Sequence, residues 1–283
     1  SIGTGTRTEF EIVLQEDVKA IAEVIVTALG LERNYADLTY SADKIRGAQL
    51  TAVKDPNLIL SLSGKSAGVQ VNKNSSGAGA SAKVSIRGVR SVASDNQPLY
   101  VVDGMPILNS TPEQAYSAIG GVADAGNRDG GDGISNLNAE DIESVSILKG
   151  APAAALYGSQ AANGVILITT KRAKQGSVTA NYTGEFSFET VRKYPELLSS
   201  SEYIEYGLGE DYGADTDWYK ELTNDAPFSQ RHTVSIAGGT EVAQVYTSFM
   251  AQNQKGIVIG DNRKDYSGRV NARFNLFDGV VEV

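Results

Sequence analysis

The chain has 283 residues with 34 acidic against 25 basic side chains, and its net charge of −9 excludes a general phosphate-binding surface for nucleic acid. Cysteine is absent and histidine occurs once, as His232, which excludes disulfides, thiolate zinc sites and multi-histidine metal centres. Thirty glycines and thirteen tyrosines, with no apolar run near the ~18 residues of a membrane helix, point to a turn-rich β protein and leave a β-barrel open, since barrel strands are weak hydropathy signals.

The opening at Ser1, without a leader, and the apolar close Val-Val-Glu-Val suggest a segment of a longer chain, cut at both ends. Residues 9–15 alternate, with Phe10, Ile12 and Leu14 on one face, and read as a strand closing a small β domain. A short mixed linker over 16–22 leads to Glu23, Val24, Ile25, Val26, Thr27, Ala28 and Leu29, a β-branched run ended by Gly30.

From 31 to 175 the pattern mixes helix and strand. Asp55-Pro56 reads as a helix start, with Leu58, Ile59 and Leu62 inward and Gly64 as the stop. Residues 69–71 and 84–86 are short strands around a small-residue loop. Residues 99–102 form a buried strand broken by Asp103-Gly104 and Pro106, and 109–136 is a long Gly/Asp/Asn loop of the kind that carries function. Residues 142–148, 151–157 and 164–170 read as a β-α-β unit, too compact for a nucleotide-binding crossover.

After Gly176 the period becomes two and stays two. Val178, Ala180, Tyr182, Gly184, Phe186 and Phe188 alternate with six polar residues, as do Tyr266, Gly268, Val270, Ala272, Phe274 and Leu276. Between these strands, 231–237 and 241–252 flank Gly238-Gly239, a hairpin signal. Runs of about twelve residues, apolar on one face and polar on the other, suit membrane-barrel strands better than soluble ones of ~5–6 residues.

Several constellations are set against blander readings. Residues 77–82 satisfy a loose dinucleotide fingerprint, but Lys83 to Arg87 alternate as a strand where a helix is required. Gly64-Lys65-Ser66 resembles the end of a phosphate loop, but it lies at a helix end and Ile59 stands where the first glycine belongs. His232 suits an amphipathic aromatic on a strand better than a hydrolytic triad. Asp124, Asp129 and Asp132 offer oxygens to calcium, against the plainer reading of a solvated loop. Residues 189–229 carry ten acidic and three basic residues together with Tyr206, Tyr212, Trp218 and four further aromatics. They suit sugar stacking, cationic peptides or a self-packed loop alike.

The residues then become familiar. Leu62-Ser63-Gly64-Lys65, Ile86-Arg87-Gly88, Gln97-Pro98-Leu99-Tyr100-Val101-Val102-Asp103-Gly104-Met105-Pro106, Leu148-Lys149-Gly150, Tyr157-Gly158 and Ala161-Ala162-Asn163-Gly164-Val165 occur in fixed order, followed by Asp217-Trp218 and Gly238-Gly239-Thr240. In these the chain resembles the SusC/RagA-type TonB-linked outer-membrane transporters. Gln160, Ser66 and Pro152 depart from the family pattern, where arginine, an apolar residue and serine are usual.

The resemblance implies an α+β plug domain over 31–175 followed, over 176–283, by the first antiparallel strands of a 22-stranded transmembrane β-barrel. It makes 1–22 the end of a carboxypeptidase-regulatory-like domain and 23–30 the Ton box that TonB grips, energised through ExbB and ExbD. Arg87 is expected to pair with the barrel wall. Gly88, Asp103, Gly104, Lys149, Tyr157, Gly158, Asn163 and Gly164 are expected to shape the plug. Cargo, an oligosaccharide first and an oligopeptide second, is expected to meet Asn109, Asp124, Asn127, Asp129, Asp132, Tyr206, Tyr212 and Trp218 beneath a SusD-like surface lipoprotein. The implied setting is an outer membrane with lipid around the barrel, the plug in its lumen and the N-terminus periplasmic. Neither cofactor nor covalent chemistry on the cargo is implied; a siderophore or vitamin receptor with a signalling role is the alternative.

Overall fold

A computed structural model describes residues 24–26, 32–34, 42–55, 57–73, 77–91, 96–107, 109, 132–150, 155, 157–210, 212–276 and 281–282. The strand expected over 9–15, the linker, and Asp124, Asn127 and Asp129 lie outside them.

β1 (Val24–Val26) and β2 (Glu32–Asn34) pair antiparallel, Ile25 opposite Arg33. The plug sheet follows, built from β3 (Ala42–Arg46) and later strands. A hairpin of β4 (Val69–Lys73) and β5 (Ala82–Ile86) stands apart from that sheet. β6 (Leu99–Val102), β7 (Met105–Ile107), β8 (Ile142–Leu148) and β9 (Val165–Thr170) complete the sheet in the order β3-β8-β9-β6-β7. Its core is the β-branched and leucine side of these strands: Ile45, Val84, Ile86, Tyr100, Val145, Ile147, Ile166 and Ile168 are buried with Leu50, Leu58, Ile59 and Leu62.

Three expectations are corrected. Residues 142–148 and 164–170 are not a β-α-β crossover, because β8 and β9 run antiparallel; the one parallel pair described in the sheet is β6–β9. The segment after Asp55 is not an α-helix but a chain of turns ending in the 3-10 helix Leu60–Leu62. Asp55 Oδ1 accepts from the Asn57 N–H and Asn57 Oδ1 from the Ile59 N–H, and such local side-chain bonds compete with helix. Leu58, Ile59 and Leu62 are buried as expected. Asp103-Gly104 breaks the strand after Val102, as expected, and turns the chain back into β7: φ is +48° and +88°, the positive pair a type I′ hairpin requires. Pro106 follows in β7, at the sheet edge, where its missing N–H costs no ladder bond.

Beyond Gly176 the chain forms an antiparallel meander of β10 (Gly176–Phe188), β11 (Phe228–Gly239), β12 (Ala243–Lys255), β13 (Asn262–Leu276) and β14 (Val281–Glu282). Gly238 and Gly239 lie inside β11, so the turn is 240–242 rather than the glycine pair. A Cβ at Gly238 would press on Val178 and one at Gly239 on the β12 backbone. The alternation is as expected. Val178, Tyr182, Phe186, Val234, Ile236, Phe249, Tyr266 and Val270 are exposed on one face. Arg231, Thr233, Tyr246, Ser248, Met250 and Gln254 are buried on the other, against the plug.

Gly164 needs both its φ of +103° and its missing side chain. A Cβ there would sit 2.9 Å from Ile86 Cδ1 and 3.0 Å from the Leu148 carbonyl oxygen. The carbonyl belongs to the β8 ladder and cannot withdraw. Gly164→Ala is expected to destabilise the plug by about 2–5 kcal/mol, adding backbone strain to overpacking, as measured by chemical denaturation.

Candidate functional site

The alternation that turns polar residues of β10–β13 inward places them against the plug, and the bonds run the length of the strands. At one end, near residues 256–261, Asp261 Oδ2 accepts from the Ala78 N–H at 2.9 Å. Arg263 Nη1 donates to the Gly79 carbonyl at 3.0 Å and Nη2 to Asn136 Oδ1 at 2.8 Å.

Lower down, Lys54 of the plug bridges Glu140 at 2.8 Å and Glu185 of β10 at 3.0 Å, and Glu185 also faces Arg231 of β11 at 3.5 Å. Burial alone would lower the Lys54 pKa, but the two carboxylates outweigh it and hold the ammonium above its ordinary value. Tyr246 of β12 donates to Asp141 at 2.8 Å, and Asn138 Nδ2 reaches Thr233 Oγ1 at 3.4 Å.

At the opposite end Asn271 Nδ2 donates to Thr170 Oγ1 and the Lys171 carbonyl, both at 2.9 Å. Asp103 accepts from the Thr170 N–H and hydroxyl at 2.9 and 2.7 Å and faces Arg269 at 3.6 Å. Asp103 thus does two things: it makes the left-handed turn residue and it joins plug to strand β13.

Other expected residues fall into place individually. Lys149 is buried, bonded to Asp43 and to the Ala67 carbonyl at 2.7 Å. Ser66, the departure from the family pattern, is buried and donates to the same Asp43 at 2.6 Å, so a polar residue there completes the carboxylate's shell. Burial alone would raise the Asp43 pKa, but Lys149 and Ser66 overcome it and hold the carboxyl below its ordinary value. Arg87 is exposed at φ +61°, its N–H bonded to the Gly68 carbonyl, and has no ion pair among the described residues. Gly88, Gly158 and Gly164 take positive φ. Asn163 donates to the Gln97 carbonyl at 3.4 Å, and Tyr157 is half-buried.

Of the residues expected to meet cargo, Asn109 and Asp132 come together on one turn and work inside the plug. Asn109 Oδ1 accepts from the Ile134 N–H at 3.0 Å, and Asp132 accepts from the Ala82 and Ser135 N–H groups. Tyr206, Tyr212 and Trp218 are strongly exposed on the connection between β10 and β11. Tyr194 and Tyr219 of that connection pack on each other, with centroids 4.5 Å apart, so part of it is self-packed. His232 stacks on Tyr182 and meets Phe186 edge-on at the outward face, its Nδ1 2.8 Å from the Tyr182 hydroxyl.

Reading the sequence missed Lys54, Asp141, Glu185, Arg231, Tyr246, Asp261, Arg263 and Asn271. The available signal was charge on the polar face of an otherwise regular alternation.

Residues 35–165 match the family of TonB-dependent receptor plug domains. The chain is 35 % identical over 280 residues to the TonB-dependent receptor SusC of Bacteroides thetaiotaomicron, covering 95 % of this chain and 26 % of that one. It is 31 % identical over 297 residues to the TonB-dependent receptor P26 of Formosa agariphila, covering 98 % and 27 %. The chain thus spans about a quarter of the length of these curated relatives. The RagAB peptide importer in its closed-closed state shares the fold, with a TM-score of 0.69 at 23 % identity over 85 % of this chain and 29 % of that one.

Proposed function

The chain belongs with the SusC/RagA-like TonB-dependent transporters, its plug domain followed by antiparallel strands, and on that premise we propose that it is the plug and first barrel strands of an outer-membrane nutrient importer. Cargo is an oligosaccharide first and an oligopeptide second, captured outside beneath a SusD-like lipoprotein. TonB, energised through ExbB and ExbD, grips residues 23–29 and moves the plug. Residues 31–175 act as the plug and 176–283 as barrel wall, with lipid on the outward face and the N-terminus in the periplasm.

One observation carries this reading. The plug bonds to the inward polar side chains of strands 12–15 residues long, while their outward side chains are exposed and apolar. Barrel strands need ~9–11 residues to cross a bilayer, apolar to lipid and polar to the lumen. Val270 is 68 % exposed on the outward face of β13, beside lumenal Asn271. In this setting Val270→Lys is expected to cost about 2–4 kcal/mol of folding stability in a bilayer, as lysine does at mid-depth. No loss on refolding into lipid vesicles overturns the membrane reading.

The importer reading is tested by uptake of a fluorescein-labelled gluco-oligosaccharide and a fluorescein-labelled oligopeptide in energised cells expressing the intact protein. Uptake of either that stops when TonB is removed supports it. Import of neither overturns it.

A further inference from the structure

The glycine-rich run 77–82, which meets a loose dinucleotide fingerprint but leads into strand β5 rather than a helix, has another use. Residues 77–81 belong to the connection of the β4–β5 hairpin, and Ala78 and Gly79 lie against the 256–263 end of the β12–β13 hairpin. A Cβ at Gly77 or at Gly256 would overlap the Asp261 carboxylate, and one at Gly79 would overlap Arg263 Cδ and Nη1. Three glycines therefore make room for two charged side chains.

Those side chains hold main chain. Asp261 accepts the Ala78 N–H, and Arg263 donates to the Gly79 carbonyl. The Arg263 guanidinium is fixed by Asp265, whose two oxygens take its Nε–H at 3.0 and 2.8 Å. Its remaining fork reaches Asn136, in the 3-10 turn Ile134–Asn136, so one side chain of β13 ties two plug segments together. A lysine, with a single compact charge, could not span these partners. A cavity of about 140 Å³ lined by Gly77, Gly79, Asn136, Arg263, Asp265 and Tyr266 adjoins the contact, so small polar groups can reach it.

We infer that Asp261 and Arg263 form a releasable clamp on the plug's glycine loop, and that this clamp opens before the plug moves. The inference rests on the importer reading above. The clamp sits at the end of the strands that carries the long 189–227 connection, which in that reading is where cargo arrives. Cargo hydroxyls or carbonyls are of the kind that compete for Arg263's donors. Charge-assisted bonds to backbone are strong yet exchangeable for others of the same geometry.

The test uses a covalent lock in the intact protein. This chain has no cysteine. Asp261 Cγ, where a cysteine sulfur would sit, is 3.0 Å from a Cβ built on Gly77, within disulfide reach. Gly77→Cys combined with Asp261→Cys is compared with itself, oxidised and reduced, so strain at residue 77 is common to both. With the labelled oligosaccharide or oligopeptide that the wild type imports, oxidation is expected to leave surface binding intact and to drop uptake to the de-energised level. Reductant is expected to restore uptake; import by the oxidised form at the reduced rate overturns the clamp.

If the wild type imports neither probe, the importer reading fails, and the clamp is judged mechanically. Pulling the N-terminus of the intact protein in a bilayer is expected to show a force step near residue 77. Arg263→Gln and Arg263→Lys should both lose that step, and traces equal to wild type overturn the clamp.

Discussion

Deleting residues 23–29 from the intact protein is expected to cut cargo uptake to that of cells lacking TonB, while equilibrium binding of cargo at the surface is unchanged. Strand addition draws its strength from main-chain hydrogen bonds, so the β-branched run Val24, Ile25, Val26 and Thr27 supplies an extended backbone rather than particular side chains. Ile25→Pro is the sharper variant. It removes one N–H and fixes φ, and should approach the deletion in effect, whereas Ile25→Val should not. The pairing of Val24–Val26 with Glu32–Asn34 adds a second expectation. An isolated two-stranded pair of three residues is marginal in water, so it can yield to a stronger partner strand. Uptake surviving both the deletion and Ile25→Pro would place the TonB contact elsewhere.

Lys149→Met is expected to cost the plug about 2–4 kcal/mol, read as faster amide hydrogen exchange in β3 and β8. The figure is set about 1 kcal/mol below the ~3–5 kcal/mol for breaking a buried pair, because the Asp43 side chain is 32 % exposed against 6 % for Lys149. The double variant Asp43→Asn with Lys149→Met should recover part of the loss, since no charge is then left unpaired. The pH dependence has a definite sign. The Asp43 carboxyl titrates below its ordinary value in the folded plug. Its contribution is therefore complete above the unfolded carboxylate pKa of about 3.9 and fades as pH falls through the lower folded value. Wild-type plug should lose protection in that acid window, and Asp43→Asn should show a flatter profile there.

Much of the architecture is legible before any coordinates. A period of two in Val178 to Phe188 and Tyr266 to Leu276 depends on backbone geometry alone, and β10 and β13 show the faces it predicts. The β4 and β5 strands were equally local. Where neighbouring side chains bond the backbone, local patterns mislead: Asp55 and Asn57 turned an expected helix into turns. The direction of β8 against β9 also escaped, because 151–157 between them fits either a crossover or an antiparallel return.

The pairings across the joint between plug and strands are not readable from the sequence, and distance along the chain is the reason. Ala78 meets Asp261 across 183 residues, Lys54 meets Glu185 across 131, and Tyr246 meets Asp141 across 105. Periodicity says which face Glu185, Arg231, Tyr246 and Arg263 occupy, because that follows from each residue's own backbone. Which partner each finds follows from strand order and register, which are settled when distant segments pack, and so the charges on the polar face acquired their roles only in the folded chain.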